Sequence, residues 1–133
     1  MIRAVTTPVV VMLCTLTTPT GAQQASEYEV VQHAKDLDAT MEDYTEESVA
    51  VGNLAPGPSV GLTAVRELFR QAMEMFTPEM IANLKTARLD IVGEVAYVVW
   101  SALPAIPFAS DTFVVRDGKI LIHTAAVQSA QGS

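Results

Sequence analysis

The chain has 133 residues, half of them hydrophobic and 17% charged, and its formal net charge is -7. This length and composition are typical of one folded domain and exclude a disordered chain. Because eight Lys and Arg stand against fifteen Asp and Glu and form no basic cluster, we predict no binding to nucleic acid or to anionic membranes.

The N-terminal segment has the pattern of a secretory signal peptide. Arg3 is the only charged residue in the first 26 positions, residues 5–16 are mostly apolar, and small residues lead up to Ala22. The apolar stretch is too short to span a bilayer, which takes about 20 residues. We therefore predict a signal peptide over residues 1–22, cleaved after Ala22, a mature domain over 23–133, and a secreted or periplasmic location. A disordered tail is the alternative.

The only cysteine, Cys14, lies inside this segment. Leu13 precedes it, where a lipoprotein signal needs a small residue, so we do not expect a lipid anchor. The mature chain would have no cysteine, and therefore no disulfide, no thiol nucleophile and no cysteine-ligated metal. The two histidines lack metal-ligand spacing and no glycine-rich phosphate loop follows a strand, so we predict no metal and no cofactor.

The first half of the mature chain predicts mainly helices. The strongest is Thr63–Phe76, because its apolar residues recur at the spacing of one helix face. Three shorter helices are predicted over residues 26–34, over Leu37–Tyr44 with Asp36 as cap, and from Pro78 to about Leu84 with Thr77 as cap. Ser48–Val51 predicts a short strand, and residues 52–61 predict a loop with a second short strand near Val60.

The second half predicts four consecutive antiparallel strands, over residues 87–92, 95–103, 110–116 and 119–127. The pairs Gly93-Glu94 and Asp117-Gly118 are typical of two-residue hairpin turns. Pro104 and Pro107 are predicted to break the chain between the second and third of these strands.

The strand over 95–103 is apolar on both faces. Its alternating sets are Val95, Tyr97 and Val99, and Ala96, Val98 and Trp100. Antiparallel sheets usually leave one face in water, so we expect helices to cover one face and a second copy of the chain to cover the other. The sequence therefore predicts a homodimer through the outer sheet face, anchored by Trp100. The alternative is that Trp100 lines a cavity and the outer face is an ordinary apolar patch.

Three segments resemble the SnoaL-like family of the nuclear transport factor 2-like (NTF2-like) superfamily. They are Asp36-Leu37-Asp38 with Tyr44-Thr45-Glu46-Glu47-Ser48-Val49, the helix start Gly61-Leu62-Thr63-Ala64-Val65-Arg66-Glu67-Leu68-Phe69, and the hairpin Asp111-Thr112-Phe113-Val114-Val115-Arg116-Asp117-Gly118-Lys119-Ile120. The resemblance covers about residues 28–128. It implies an α+β fold, a cystatin-like cone whose curved antiparallel sheet wraps around helices and encloses a pocket. It implies much less about function, because the superfamily includes enzymes, binding proteins and assembly modules.

The resemblance also implies candidate catalytic residues. Ketosteroid isomerase, a relative, uses a tyrosine and a protonated aspartic acid as an oxyanion hole and a second aspartate as base. By alignment of the shared phrases, the tyrosine falls on Tyr28 and the oxyanion aspartate on Asp111. The base position falls on Gly52, which cannot accept a proton. His123 could instead pair with a carboxylic acid, as in SnoaL-type cyclases and hydratases.

The pocket implied by the resemblance would be lined by Tyr28, Phe69, Met73, Phe113 and Asp111. Each candidate catalytic residue has a structural role as the alternative. Tyr28 could be part of the core, Asp111 could be a buried acid hydrogen-bonded to Tyr28 or to a backbone amide, and His123 could lie at a dimer face or in solvent. We therefore predict an exported domain that binds a small hydrophobic ligand, with a cofactor-free isomerase, lyase or hydratase as the alternative. Gly52 at the base position favours ligand binding without chemistry, whereas Asp111, an acid in an apolar strand, favours an enzyme.

Overall fold

The computed structural model describes residues 10–14, 28–32 and 36–130, the first two ranges by their backbone pairing alone. Strands β1 (Val10–Cys14) and β2 (Tyr28–Gln32) form an antiparallel two-stranded sheet. The elements that follow are α1 (Leu37–Met41), β3 (Tyr44–Gly52), β4 (Ser59–Val60), α2 (Gly61–Met75), α3 (Pro78–Ala82), β5 (Leu84–Val92), β6 (Val95–Ala102), β7 (Ile106–Arg116) and β8 (Lys119–Gln128). The predicted cleavage position after Ala22 lies outside the described residues.

The main sheet has six strands in the order β4-β3-β8-β7-β6-β5. The predicted α+β fold and the antiparallel meander β5 to β8 are confirmed. The prediction of a wholly antiparallel sheet is wrong at one pair, because β3 runs parallel to β8. A parallel pair needs a long crossover connection, and here the chain from β4 through β7 provides it.

The sheet is curved because its pairing is repeatedly interrupted. Register shifts occur between β3 and β8, between β5 and β6, between β6 and β7, and between β7 and β8. Such shifts bend a strand and increase its local twist. The concave face that results packs against α2, whose Val65 and Met73 are buried.

Helix α2 is fixed at its N-terminus by a side chain from β3. Val60 supplies no side-chain cap; instead, the Leu62 N–H donates to Glu46 Oε2 at 3.4 Å. A carboxylate is favourable at this end of the helix dipole. Gly61 has a φ of 83°, and a Cβ there would lie 3.0 Å from the same Glu46 oxygen, so glycine suits this start. Within the described residues, no helix is long and apolar enough to cross a membrane.

The structure confirms two predicted helix caps and corrects two predicted elements. Asp36 Oδ1 accepts from Ala39 N at 3.0 Å, and Thr77 Oγ1 accepts from Met80 N at 3.2 Å. The predicted helix over 26–34 is wrong: β2 occupies this region, where Tyr28, Val30 and Val31 favour a strand once β1 offers backbone partners. The predicted helix over Leu37–Tyr44 ends at Met41, because Tyr44 begins β3.

The predicted chain break at Pro107 is also wrong, because Pro107 lies inside β7. Proline cannot donate to a ladder and is tolerated where pairing is irregular. The β6–β7 register shifts between Trp100 and Ala102, so that Ile106 pairs with Ala102 and Ala109 with Trp100. Pro107 therefore falls in the irregular stretch.

The side chains of strand β6 point alternately to the inner and the outer face of the sheet. Ala96, Val98, Trp100 and Ala102 are buried, whereas Val95 is 41% exposed. The prediction that Trp100 anchors a dimer through the outer face is therefore wrong, because its side chain lies on the inner face and is only 6% exposed. The alternative position, against a cavity, is the one observed.

Candidate functional site

A cavity of about 120 Å³ lies between α2 and the concave face of the sheet. Its walls are mostly apolar. They are formed by Ala50, Val51, Gly52, Asn53, Leu54, Ala55, Leu68, Phe69, Ala72, Met73, Phe76, Leu84, Trp100, Asp111, His123, Ala125 and Val127. A concave apolar site with a few polar groups is the usual form of a small-molecule site.

Asp111 is the carboxylate of this cavity, and two N–H groups point at it. Trp100 Nε1–H donates to Asp111 Oδ2 at 2.5 Å, and His123 Nε2 lies 2.8 Å from Asp111 Oδ1. The register explains the contacts, because Asp111 pairs with Val98 and Ala125, two residues along from Trp100 and His123. Diagonal neighbours at this separation lie within reach of long side chains.

Tyr44 completes the chain of hydrogen bonds from the other side of the imidazole. Its Oη lies 2.9 Å from His123 Nδ1 and has no other hydrogen-bond partner among the described residues. Burial, together with the carboxylates of Asp111 and Asp43, raises the pKa of Tyr44 well above its usual value, so the phenol keeps its hydrogen. Since Nδ1 is its one partner among the described residues, we assign Tyr44 as the donor to Nδ1. A neutral imidazole then carries its hydrogen on Nε2, which donates to Asp111.

The His123 ring is held by aromatic side chains as well as by hydrogen bonds. Phe113 stacks on it with ring centroids 4.3 Å apart, and Phe69 lies on it at 5.8 Å. Phe113 is 2% exposed and packs behind the imidazole, outside the cavity wall. These contacts fix the orientation of the imidazole, so that both ring nitrogens keep their partners.

Gly52 and Asn53 lie at the rim of the cavity, where the resemblance placed a catalytic base. A Cβ on Gly52 would lie 2.9 Å from the carbonyl oxygen of Ala125, so the close approach of β3 to β8 requires glycine here. Asn53 Nδ2 donates to Val127 O at 2.7 Å, and its Oδ1 accepts from Val127 N at 2.9 Å. Both residues hold β3 against β8, and neither offers a base.

A second buried carboxyl, that of Asp43, lies next to Tyr44 in the chain. Asp43 is 6% exposed, and within the described residues its Oδ2 has no hydrogen-bond partner. Burial raises the pKa of Asp43 to about 7, Lys119 opposes the shift and Glu42 adds to it. No group of three His, Cys, Asp or Glu side chains in the described part of the chain is placed to hold a metal ion.

The structure brings together most of the residues singled out from the sequence. Phe69, Met73, Asp111 and His123 line one cavity. The side chain of Tyr28 lies outside the described residues. Of the hydrogen-bonded chain, sequence reasoning missed Tyr44 and offered Trp100 as a cavity residue only as the alternative to a dimer anchor. The signal for Trp100 was its shared parity with Ala96 and Val98, whereas Tyr44 had been assigned to a helix.

Solved structures identify the fold. A steroid delta-isomerase from Pseudomonas aeruginosa is 17% identical, covers 73% of this chain and 71% of its own, and has a TM-score of 0.59. An NTF2-like protein of unknown function from Mesorhizobium loti is 22% identical over 70% of this chain and 78% of its own, with a TM-score of 0.55. A SnoaL-like protein of unknown function from Burkholderia thailandensis is 16% identical over 70% and 81%, with a TM-score of 0.57.

No protein-family model and no curated protein sequence matches the chain. The structural neighbours are NTF2-like and SnoaL-like proteins and a steroid delta-isomerase, so the chain has an NTF2-like fold. The resemblance drawn from the sequence is confirmed at this level. Similarity at these identities establishes the fold, and any function must be argued from the cavity.

Proposed function

We propose that the protein binds a small hydrophobic ligand in this cavity and positions the ligand's polar group at Asp111. The observation that carries the proposal is a carboxylate at the wall of an otherwise apolar cavity of about 120 Å³. An apolar cavity of roughly 150 Å³ accepts benzene, so a single ring or a short branched chain fits this volume. A ligand with several fused rings would extend beyond it.

Binding is favoured over isomerase chemistry because the polar hydrogens around the cavity are already used. With Tyr44 assigned as the donor to His123, the hydrogens of Tyr44, His123 and Trp100 are all used along the chain that ends at Asp111. An oxyanion hole needs hydrogen-bond donors aimed at the developing charge, and these three are not free to supply one. Gly52, at the position of the isomerase base, has no proton acceptor in its side chain.

Titration with benzyl alcohol tests the proposal. Trp100 is the only tryptophan of the chain, so its fluorescence and indole N–H resonance report on the cavity alone. We expect a saturable change in both signals. Ala72→Phe should abolish it by filling the cavity, whereas Gln71→Phe, one position along on the exposed side of α2, should preserve it. A signal that never saturates, or one unaffected by Ala72→Phe, would contradict the proposal.

A second function, a cofactor-free isomerase, lyase or hydratase, is favoured by one observation. Asp111 and His123 share the cavity and are 2.8 Å apart, within the distance needed for proton transfer. In this role Asp111 would take a proton from a bound carbon acid while His123 stabilises the carboxyl. Exchange of the α-protons of cyclohexanone into D₂O, followed by NMR, tests it. An enzyme should lose roughly 10²–10⁴-fold in rate on Asp111→Asn, whereas a binding protein should catalyse no exchange.

We also propose that the protein is exported and forms a homodimer. The pattern of residues 1–22 supports export, and a native N-terminus at Gln23 would demonstrate it. Support for the dimer comes from the outer sheet face, where one cross-strand row is apolar over all six strands. This row, the outer β-branched row, consists of Val60, Val49, Ile122, Val114, Val95 and Val92. An exposed apolar row of this kind suits a self-complementary interface.

A further inference from the structure

Apart from the imidazole of His123, the cavity has an acidic side chain and no basic one. Its lining includes one carboxylate, that of Asp111, and no Lys or Arg. The four arginines of the described residues are paired elsewhere: Arg66 with Asp38, Arg70 with Glu67 and Glu74, Arg88 with Asp90, and Arg116 with Glu94. Asp111 therefore depends on neutral donors, and the cation that would balance it is missing from the walls.

The hydrogen-bond partners of His123 are all satisfied when its ring carries one hydrogen rather than two. An imidazolium would carry hydrogens on both nitrogens and would face the Tyr44 hydroxyl with its Nδ1–H. Tyr44 would then have to accept, and its own hydrogen would lose the partner it has in the described residues, His123 Nδ1. The arrangement that gives the hydrogens of Tyr44, His123 and Trp100 a partner each has a single hydrogen on the imidazole, at Nε2, and both Asp111 oxygens as acceptors.

From this charge and hydrogen-bond pattern we infer that the natural ligand is a small monoamine, bound as its ammonium ion to the Asp111 carboxylate. The inference rests on the proposed binding function and specifies its ligand. An ammonium adds to its hydrogen bond a Coulombic attraction to the carboxylate that a neutral hydroxyl lacks, and this attraction is stronger in an apolar cavity than in water. The net charge of -7 also favours the approach of cations.

The walls suit the rest of such a ligand. Phe69, Phe76 and Trp100 line the cavity and present aromatic rings, which attract a cation at close range. Burying an ammonium costs desolvation, but the Asp111 carboxylate is already largely removed from water, with its side chain 13% exposed. The ligand therefore desolvates one new charge rather than two. A diamine is disfavoured, because its second charge would lie against apolar walls.

Three ligands of one size test the inference: benzylammonium, benzyl alcohol and benzoate, each titrated at pH 7 and constant ionic strength with Trp100 as reporter. We expect benzylammonium to bind at least about 10-fold more tightly than benzyl alcohol, and benzoate to bind most weakly. In Asp111→Asn the ammonium and alcohol affinities should come within about 2-fold, because the charge is lost while the shape is kept. Should this variant fail to fold, the order of the three ligands on the wild-type protein decides alone.

The outcomes separate the inference from the proposed function. If benzyl alcohol binds but benzylammonium binds equally or more weakly, the amine inference is overturned and the binding function stands. If none of the three ligands saturates the Trp100 signal, both are overturned. A preference for benzylammonium that survives unchanged in Asp111→Asn would also overturn the inference, because the selectivity would then arise elsewhere.

Discussion

Two carboxyl groups, those of Asp111 and Asp43, are largely removed from water, and their surroundings differ. Asp111 accepts hydrogen bonds at both oxygens, from Trp100 and His123. Asp43 lies at the other end, beside Tyr44, and its Oδ2 has no partner in the described residues. Both acids have lost most of their water, but only Asp111 has received donors in exchange.

The difference shows that hydrogen-bond partners, more than burial alone, decide what a buried acid can do. Asp111 has a donor within hydrogen-bond distance of each carboxyl oxygen, so it is suited to act as an acceptor at the cavity. Asp43 lacks such donors, and burial raises its pKa to about 7. Asp43 is therefore a buried acid that has no donor among the described residues, next in the chain to Tyr44 of the hydrogen-bonded network.

The largest loss of stability should come from removing the Asp111 carboxylate, which accepts two hydrogen bonds. Asp111→Ala leaves the N–H groups of Trp100 and His123 without their partner, which should destabilise the fold by about 2–4 kcal/mol. The control is Ser110→Ala on the preceding residue of β7, whose change should stay within about 0.5 kcal/mol. Urea unfolding followed by circular dichroism measures both. Equal values for the two variants would mean that the network contributes nothing to stability.

At Asp43 we expect a substitution to stabilise the fold rather than to destabilise it. Its folded pKa is about 7 against an ordinary value of 3.8, so the native state binds more protons between these values. The contribution of Asp43 to stability is therefore fully present below about pH 4 and is lost as the pH rises through about 7. Asp43→Asn removes the ionisable group and should stabilise the protein by about 1–3 kcal/mol at pH 8, with little effect at pH 3.5.

Thermal unfolding across this pH range checks the prediction for Asp43. The control is Asp38→Asn, an exposed acid of α1, which should show no such pH dependence. A destabilised Asp43→Asn at pH 8 would mean that the carboxylate has a partner there and that the contrast with Asp111 is wrong.

A smaller effect is expected where β3 meets β8 at the cavity rim. Gly52→Ala places a Cβ 2.9 Å from the Ala125 carbonyl oxygen, so the backbone must shift, at a cost of about 1–3 kcal/mol. The same shift should weaken binding of benzyl alcohol. Gly57→Ala is the matched control, because a Cβ at Gly57 meets nothing within 4 Å. If both variants have the same stability and the same affinity for benzyl alcohol, the close approach of β3 to β8 does not require glycine at position 52.

Substitutions in the outer β-branched row should have the smallest effect on the stability of the fold. They should nevertheless change the oligomeric state. Val95 and Ile122 are 41% and 42% exposed, so Ile122→Lys should leave the fold intact while opposing a dimer with a buried charge. Light scattering at micromolar concentration should give the mass of a dimer for the wild-type protein and of a monomer for the variant. A wild-type monomer would refute the dimer proposal.

The fold was predictable because its signals are local. The periodicity of α2, the capping residues Asp36 and Thr77, and the Asp117-Gly118 hairpin each belong to a short segment, and the structure has all of them. The helix predicted over residues 26–34 failed because β2 depends on backbone pairing with β1, far along the chain. The parallel pairing of β3 with β8 is non-local in the same way.

The candidate site was less predictable, because register shifts decide which side chains meet. Ile120 and His123 both lie on the inner side of β8 although they are three residues apart, since the β7–β8 register shifts between Val114 and Val115. Simple alternation cannot show this. The acids of the α1 region also differ in burial: Asp36, Asp38 and Glu42 are exposed, whereas Asp43 is buried.

The measurement that tests the account most directly is the protonation pattern of His123. A long-range ¹H–¹⁵N correlation spectrum at pH 7, assigned with a His33→Gln variant, distinguishes the two neutral tautomers from the imidazolium. The account predicts a neutral ring with its hydrogen on Nε2, facing Asp111, and an unprotonated Nδ1 that accepts from Tyr44. An imidazolium, or a hydrogen on Nδ1, would contradict the account, because the cavity would then lack the uncompensated carboxylate on which amine binding depends.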